Sequence, residues 1–237
     1  MPGLRKMSLH LISCYRGIPG DGKVLDIGCA NFRQVGISRE LGLYGIRHYG
    51  VDYCEPDGEL PDGFCFRMAD LDRVPIPFED DMFDLVVASH VMEHLSRPVD
   101  FFGECARVCK PGGYMYFEAP SERSLLLPGM PIEHDKFFSL SFYDDPTHAS
   151  RPWTPQSLHR LTRYFSCEPL QTGYLRGPRR MRWLFPLYLL YAWVRQSGKL
   201  LEIYSWAALG WASFLVARKP LSGTGKPSFR YYIPVDR

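Results

Sequence analysis

Ten residues near the start of the chain, GKVLDIGCAN at 22–31, constrain its fold more than any other stretch. Lys23 to Ile27 is a short apolar run with β-branched members, the pattern of a strand buried on both faces. It stops at Gly28, and a helix-compatible segment, Phe32 to Leu41, follows. A strand, a glycine turn and a helix in this order aim backbone N–H groups at the carboxyl end of the strand. In an open α/β sheet that crevice receives a nucleotide-like ligand.

The alternation continues downstream. After a short N-terminal helix over 4–15, strands are expected at 46–52 (IRHYGVD), 64–68 and 83–89 (FDLVVAS), with a Gly-, Pro- and Asp-rich loop over 54–63. The next helix carries Leu95, Val99, Phe102, Ala106 and Cys109 on one apolar face, and Lys110-Pro111-Gly112-Gly113 ends it. A strand at 114–119 (YMYFEA) follows. Residues 121–153 read as a long loop, and loops of that length commonly carry function. Thr154-Pro155 starts a helix with Leu158, Leu161 and Phe165 inward. Strands near 168–175 and 212–217 complete a parallel sheet with helices on both faces.

Charge divides the chain unevenly. Residues 1–170 hold 17 Lys and Arg against 24 Asp and Glu, whereas residues 171–237 hold 11 against 2. The seven cysteines form no CxxC pair, which argues against a disulfide framework or a cysteine metal site and for a reducing, cytoplasmic setting. Residues 1–16 carry no signal-peptide pattern.

Four motifs, VLDIGCAN at 24–31, YGVD at 49–52, ADLDRVPIPFEDDMFD at 69–84 and ASHVMEHLSRP at 88–98, with KPGG at 110–113, together resemble the class I S-adenosylmethionine-dependent methyltransferases. The resemblance covers roughly residues 20–120. It implies a single domain over 1–237 with a Rossmann-like, seven-stranded methyltransferase sheet. It also implies S-adenosyl-L-methionine as cofactor. By that resemblance Asp26, Gly28, Cys29 and Ala30 form the turn beside the cofactor's amino-acid portion. Asp52 accepts from the ribose hydroxyls with Tyr53 beside it, Asp70 and Leu71 bracket the adenine, and Ser89 and His90 face the sulfonium. His94 is read as a helix-start residue. One departure stands out: the family's turn has glycine where this chain has Ala30 and Phe32.

The acceptor side is expected in EHDKFFS (133–139) and YDDPTHASRPWTP (143–155). His148 and His134 are the general-base candidates there, with His90 a third, because imidazole takes a proton near neutral pH. Tyr143, Asp144, Asp145 and Arg151 offer polar groups to a sugar-like acceptor, or form a solvated loop. Glu133, His134, Asp135 and His148 lack tight ligand spacing, so no metal is expected. WLFPLYLLYAWV at 183–194 is too short to span a bilayer but is flanked by Arg176, Arg179, Arg180, Arg182, Arg195 and Lys199. The helical insert over 177–210 therefore reads either as a peripheral membrane contact through 179–199 or as a lid or homodimer helix packed on protein. Nucleic acid fits such an apolar block poorly. No Asn/Asp-Pro-Pro-Tyr/Phe signature follows the fourth strand, which argues against methylation of DNA bases. The sequence thus points to O-methylation of a small-molecule, glycan or lipid-linked acceptor. The competing reading is a binding or scaffold protein that keeps the fold without turnover.

Overall fold

A computed structural model describes residues 8–29, 31–56, 58–126 and 142–221. Seven strands form one sheet in the order β3-β2-β1-β4-β5-β7-β6. They are β1 (Lys23–Ile27), β2 (Arg47–Asp52), β3 (Cys65–Met68), β4 (Phe83–Ser89), β5 (Cys109–Pro120), β6 (Glu168–Tyr174) and β7 (Ala212–Arg218). β1 to β5 pair in parallel, and β7 runs antiparallel to both β5 and β6. The sheet is therefore mixed, where the alternation of elements predicts an all-parallel one. The departure has a plain cause: β6 and β7 form a long-looped hairpin without a crossover helix.

Successive side chains on each strand serve opposite cores. Leu25, Ile27, Val86, Ala88, Met115 and Phe117 point to one face, where α3 (Pro98–Val108) and α4 (Pro155–Tyr164) cover them. Val24, Leu85, Val87 and Tyr116 point to the other, under α1 (Leu9–Gly17) and α2 (Arg33–Glu40). α4 begins as its sequence predicts, with the Thr154 hydroxyl accepting from Ser157 N at 3.0 Å and Pro155 in the first turn.

α3 differs from expectation. Its buried face is Phe101, Phe102, Cys105, Ala106 and Val108, whereas Val99 is exposed and Leu95 precedes the helix. Lys110 to Gly113 is already in β5 rather than a cap; the irregular register between Phe83 and Leu85 absorbs Pro111 and Gly112. Between β6 and β7 lie α5 (Arg179–Trp183), α6 (Phe185–Val194), α7 (Gly198–Ser205) and a π turn, Trp206–Gly210. Among the described residues no helix is long and apolar enough to cross a membrane.

Candidate active site

The carboxyl ends of β1, β2 and β4 open onto a cavity of about 580 Å³. Gly28, Asp52, Tyr53, Asp70, Leu71 and His90 line it, with Ile27, Val51 and Val91 beneath. Gly28 has φ +76°, and a Cβ there would meet Val91 Cγ2 at 2.9 Å, so only glycine leaves this floor both unstrained and open. Asp52, at the end of β2, is 8% exposed. Its Oδ1 accepts from Tyr53 N at 2.8 Å. Asp70 accepts from Asp72 N at 3.1 Å and pairs with Arg73, which fixes the next turn along the cavity.

Three residues expected at the cofactor stand outside this lining. Asp26 is buried behind it, and burial pushes its carboxyl up to about 8 against the pull of Arg33 and Gln34. Cys29 turns into a small apolar cluster with Val35 and Phe64, and burial raises its thiol to about 12, which leaves it inert. Ser89 Oγ is buried with no partner among the described residues, at the strand end beside His90. Ala30 lies outside the described residues. Phe32 does not narrow the cavity. It sits at φ +51° before α2 and packs edge-on against Phe64 at 5.0 Å.

His90 follows β4 with φ +57°, an unusual angle for a side chain of its size. Its Nδ1 lies 3.0 Å from Glu93 Oε1 and its Nε2 3.3 Å from Glu118 Oε1. Burial alone would depress this imidazole. Hydrogen bonds and charge from Glu118 and Glu93 outweigh burial and hold it at about 10. An imidazolium has no lone pair with which to take a proton, so the expectation of His90 as a base is corrected: it ties β4 to β5. Glu118, also held by the Tyr116 hydroxyl at 3.0 Å, stays below the usual carboxylate range despite its burial because of His90.

On the acceptor side, His134 lies outside the described residues. His148 Nδ1 donates to Phe142 O at 2.6 Å, and its ring stacks on Phe142 at 4.2 Å. It does not line the cavity, but Thr147 and His94 do, and the His94 and His148 rings are 5.0 Å apart. Asp145 is occupied by Thr147, and Arg151 lies over the Trp153 ring at 5.2 Å. Both groups are thus drawn into the strap over 142–153. Tyr143 is exposed. Reading the sequence missed His94, Thr147, Val91 and Leu95 as lining residues. Their position follows from a 3-10 turn, Met92–His94, where a helix start was expected.

The fold and the strand-end cavity are similar to those of nucleotide-cofactor domains of the methyltransferase type, and the Gly28 floor and Asp52 carboxylate fit S-adenosyl-L-methionine. Residues 25–117 match the family model described as a methyltransferase domain. That match covers 93 of the 237 residues, and over it the chain is similar to the class I S-adenosylmethionine-dependent methyltransferases. It is 39% identical over 105 residues to phthiotriol/phenolphthiotriol dimycocerosates methyltransferase 1 of Mycobacterium ulcerans, covering 40% of this chain and 36% of that one. It is 24% identical over 174 residues to the ubiquinone biosynthesis O-methyltransferase of Maricaulis maris, covering 68% and 59%. Each match therefore spans less than two thirds of the relative's length. Among solved structures, a methyltransferase chain in complex with the Haloferax volcanii Trm112 activator superposes with TM-score 0.61 at 17% identity, covering 92% and 93% of the two chains. An Archaeoglobus fulgidus S-adenosylmethionine-dependent methyltransferase superposes with TM-score 0.58 at 21% identity, covering 88% and 90%.

Proposed function

We propose that this chain moves the methyl group of S-adenosyl-L-methionine to a hydroxyl oxygen of an amphipathic, lipid-linked or glycan acceptor, and that it works on the cytoplasmic face of a membrane. The cofactor's carbon–sulfur bond breaks as the oxygen–carbon bond forms, with catalysis chiefly from holding the two reactants in line. Asp52 would hold the ribose, Asp70 and Leu71 the adenine, and the Gly28 turn the amino-acid portion.

The observation that carries the acceptor class is the place of the apolar insert. β7 enters the sheet at Pro120↔Ala212, so the insert emerges on the same edge as the cofactor cavity. Its last residue, Trp211, stands with ring centroid 5.5 Å from that of His90. Trp183, Leu187, Leu190, Trp193 and Val194 are all more than half exposed, and of the α6 side chains only Ala192 is buried. An apolar surface with arginines before and after it, and no acid over 171–199, suits an anionic lipid interface. The mycobacterial phthiotriol/phenolphthiotriol dimycocerosates methyltransferase and the Maricaulis ubiquinone biosynthesis O-methyltransferase support this reading.

Calorimetry with S-adenosylmethionine and S-adenosylhomocysteine, on wild type and Asp52→Ala, tests the first half. Transfer of labelled methyl to phenolic lipids and lipid-linked glycans tests the second. Cofactor binding that collapses in the variant, with label in a lipid hydroxyl, is expected. Binding without transfer to any acceptor would favour the scaffold reading.

A further inference from the structure

Glu93 and His94 sit on the 3-10 turn after β4, and the strap that carries His148 is bound to that turn. Ala149 N and Ser150 N donate to Glu93 O at 2.9 and 3.1 Å, and Ser150 Oγ donates to Met92 O at 2.8 Å. This brings together side chains more than fifty positions apart in sequence. One ligating atom from each of Glu93, His94 and His148 lies within 4.8 Å of the other two.

The hydrogen bonds around the cluster settle which atoms are free. His148 Nδ1 faces a backbone carbonyl, which only accepts, so Nδ1 carries a hydrogen; in the neutral ring Nε2 then holds the lone pair, 3.7 Å from Asp145 Oδ2. Thr147 Oγ1 lies 2.6 Å from Asp145 Oδ1 and 2.9 Å from His94 Nδ1. A hydroxyl has one hydrogen, and the carboxylate requires it. Thr147 therefore accepts from His94 Nδ1, which again leaves Nε2 with the lone pair. Glu93 is 1% exposed; its Oε1 is held by His90, and its Oε2 is buried with no partner among the described residues. Two imidazoles are thus oriented by oxygen acceptors behind them, and the carboxylate is held by a donor. Supported ligands of a metal ion have this outer arrangement.

We propose that Glu93, His94 and His148 bind one first-row divalent cation of the zinc or cobalt type, with Glu93 Oε2 and the two Nε2 atoms as ligands. Two nitrogens and one oxygen suit such ions better than magnesium, which takes oxygen. The sequence offers metal-ligand types within 133–148 without tight spacing; the fold brings Glu93 and His94, from outside that segment, to His148. His94 and Thr147 line the cofactor cavity, so a remaining coordination position faces the reacting region. The role there rests on the methyltransferase reading. A hydroxyl acceptor bound to the cation loses its proton to solvent more readily. The oxygen lone pair then forms the bond to the methyl carbon, and the carbon–sulfur electron pair stays on sulfur.

The test is titration with Co2+, followed by d–d absorption and displacement by Zn2+, in a Cys54→Ser/Cys65→Ser background that removes the exposed thiols. One Co2+ per chain is expected, with binding lost in His94→Gln/His148→Gln. Thr147→Val, which removes only the acceptor behind His94, should weaken binding by about 10- to 100-fold. Circular dichroism and S-adenosylhomocysteine binding show whether each variant is folded. Equal Co2+ uptake by wild type and the folded double variant, or none by wild type, overturns the site. Undiminished methyl transfer after the cation is chelated away overturns its role in the reaction. Failure of methyl transfer with Co2+ binding intact counts against the methyltransferase reading alone.

Discussion

The two halves of the sheet's carboxyl edge are built on different plans. On the β1–β2–β4 side, functional groups are the last residues of strands or the first of turns: Gly28, Asp52 and His90 all lie within one residue of a strand end. Their positions are set by parallel register, as in Asp26↔Gly50 and Ile27↔Val51. On the β5–β7–β6 side, the groups come from a strap and an insert, held by scattered bonds such as Ser121 N to Trp211 O at 2.8 Å and Arg123 Nη1 to Leu209 O at 2.6 Å. The first half is fixed by the ladder of the fold itself. The second can vary while the ladder persists, as a shared cofactor with differing acceptors requires.

Substitutions can separate the two halves. Asp52→Ala should weaken cofactor binding most, by about 3 kcal/mol or roughly a hundredfold, since it removes the buried carboxylate proposed to hold the ribose; calorimetry against an unchanged melting curve is the check. Gly28→Ala should cost about 2 kcal/mol in both stability and cofactor affinity, from the positive φ and the Val91 clash. Equal cofactor affinity in this variant would place the ligand elsewhere. Replacing Arg179, Arg180 and Arg182 together by Gln should leave cofactor binding unchanged. Sedimentation with anionic vesicles should weaken by about 1 kcal/mol for each arginine near the surface. If sedimentation persists, the insert is a lid or dimer element.

The smallest effect is a pH dependence far from either half. His48 Nε2 donates to Ser38 Oγ at 2.8 Å, its Nδ1 has no partner among the described residues, and burial lowers it from 6.5 to about 4. The native state therefore keeps it neutral while the unfolded chain takes a proton below 6.5. Stability present above pH 6.5 should fall by about 1–2 kcal/mol as the pH drops toward 4. His48→Gln should flatten that slope in urea titrations.

The difference between the halves also explains what could be read from the chain alone. β1 and β4 appear with the ends expected for them, because a buried parallel strand is a continuous apolar run closed by a glycine or a polar residue. Asp52 and Gly28 are legible for the same reason. The boundary between α3 and β5 is not, because Pro111 and Gly112 read as a stop and are instead taken up by the strand. The environment of His90 is less legible still. Glu93 lies near it in sequence, but Glu118 meets it only through pairing of β4 with β5, Ser89↔Glu118. His94 and His148 required a strap to fold back over a turn. Local patterns do not encode that contact, since all but one of the bonds named above run to main-chain oxygens that every residue has.

The antiparallel β7 makes the acceptor apparatus separable. Leu175 N donates to Ala212 O at 2.8 Å, so the chain leaves β6 and enters β7 at adjacent points, and everything between is a single excursion from a closed hairpin. Loop length adds little to the entropy of closing such a stem. A short turn joining 175 to 212 would leave all seven strands paired, and a foreign excursion of another size could be grafted there. By this construction the insert is a cassette, exchangeable without reopening the sheet whose strand ends form the cavity.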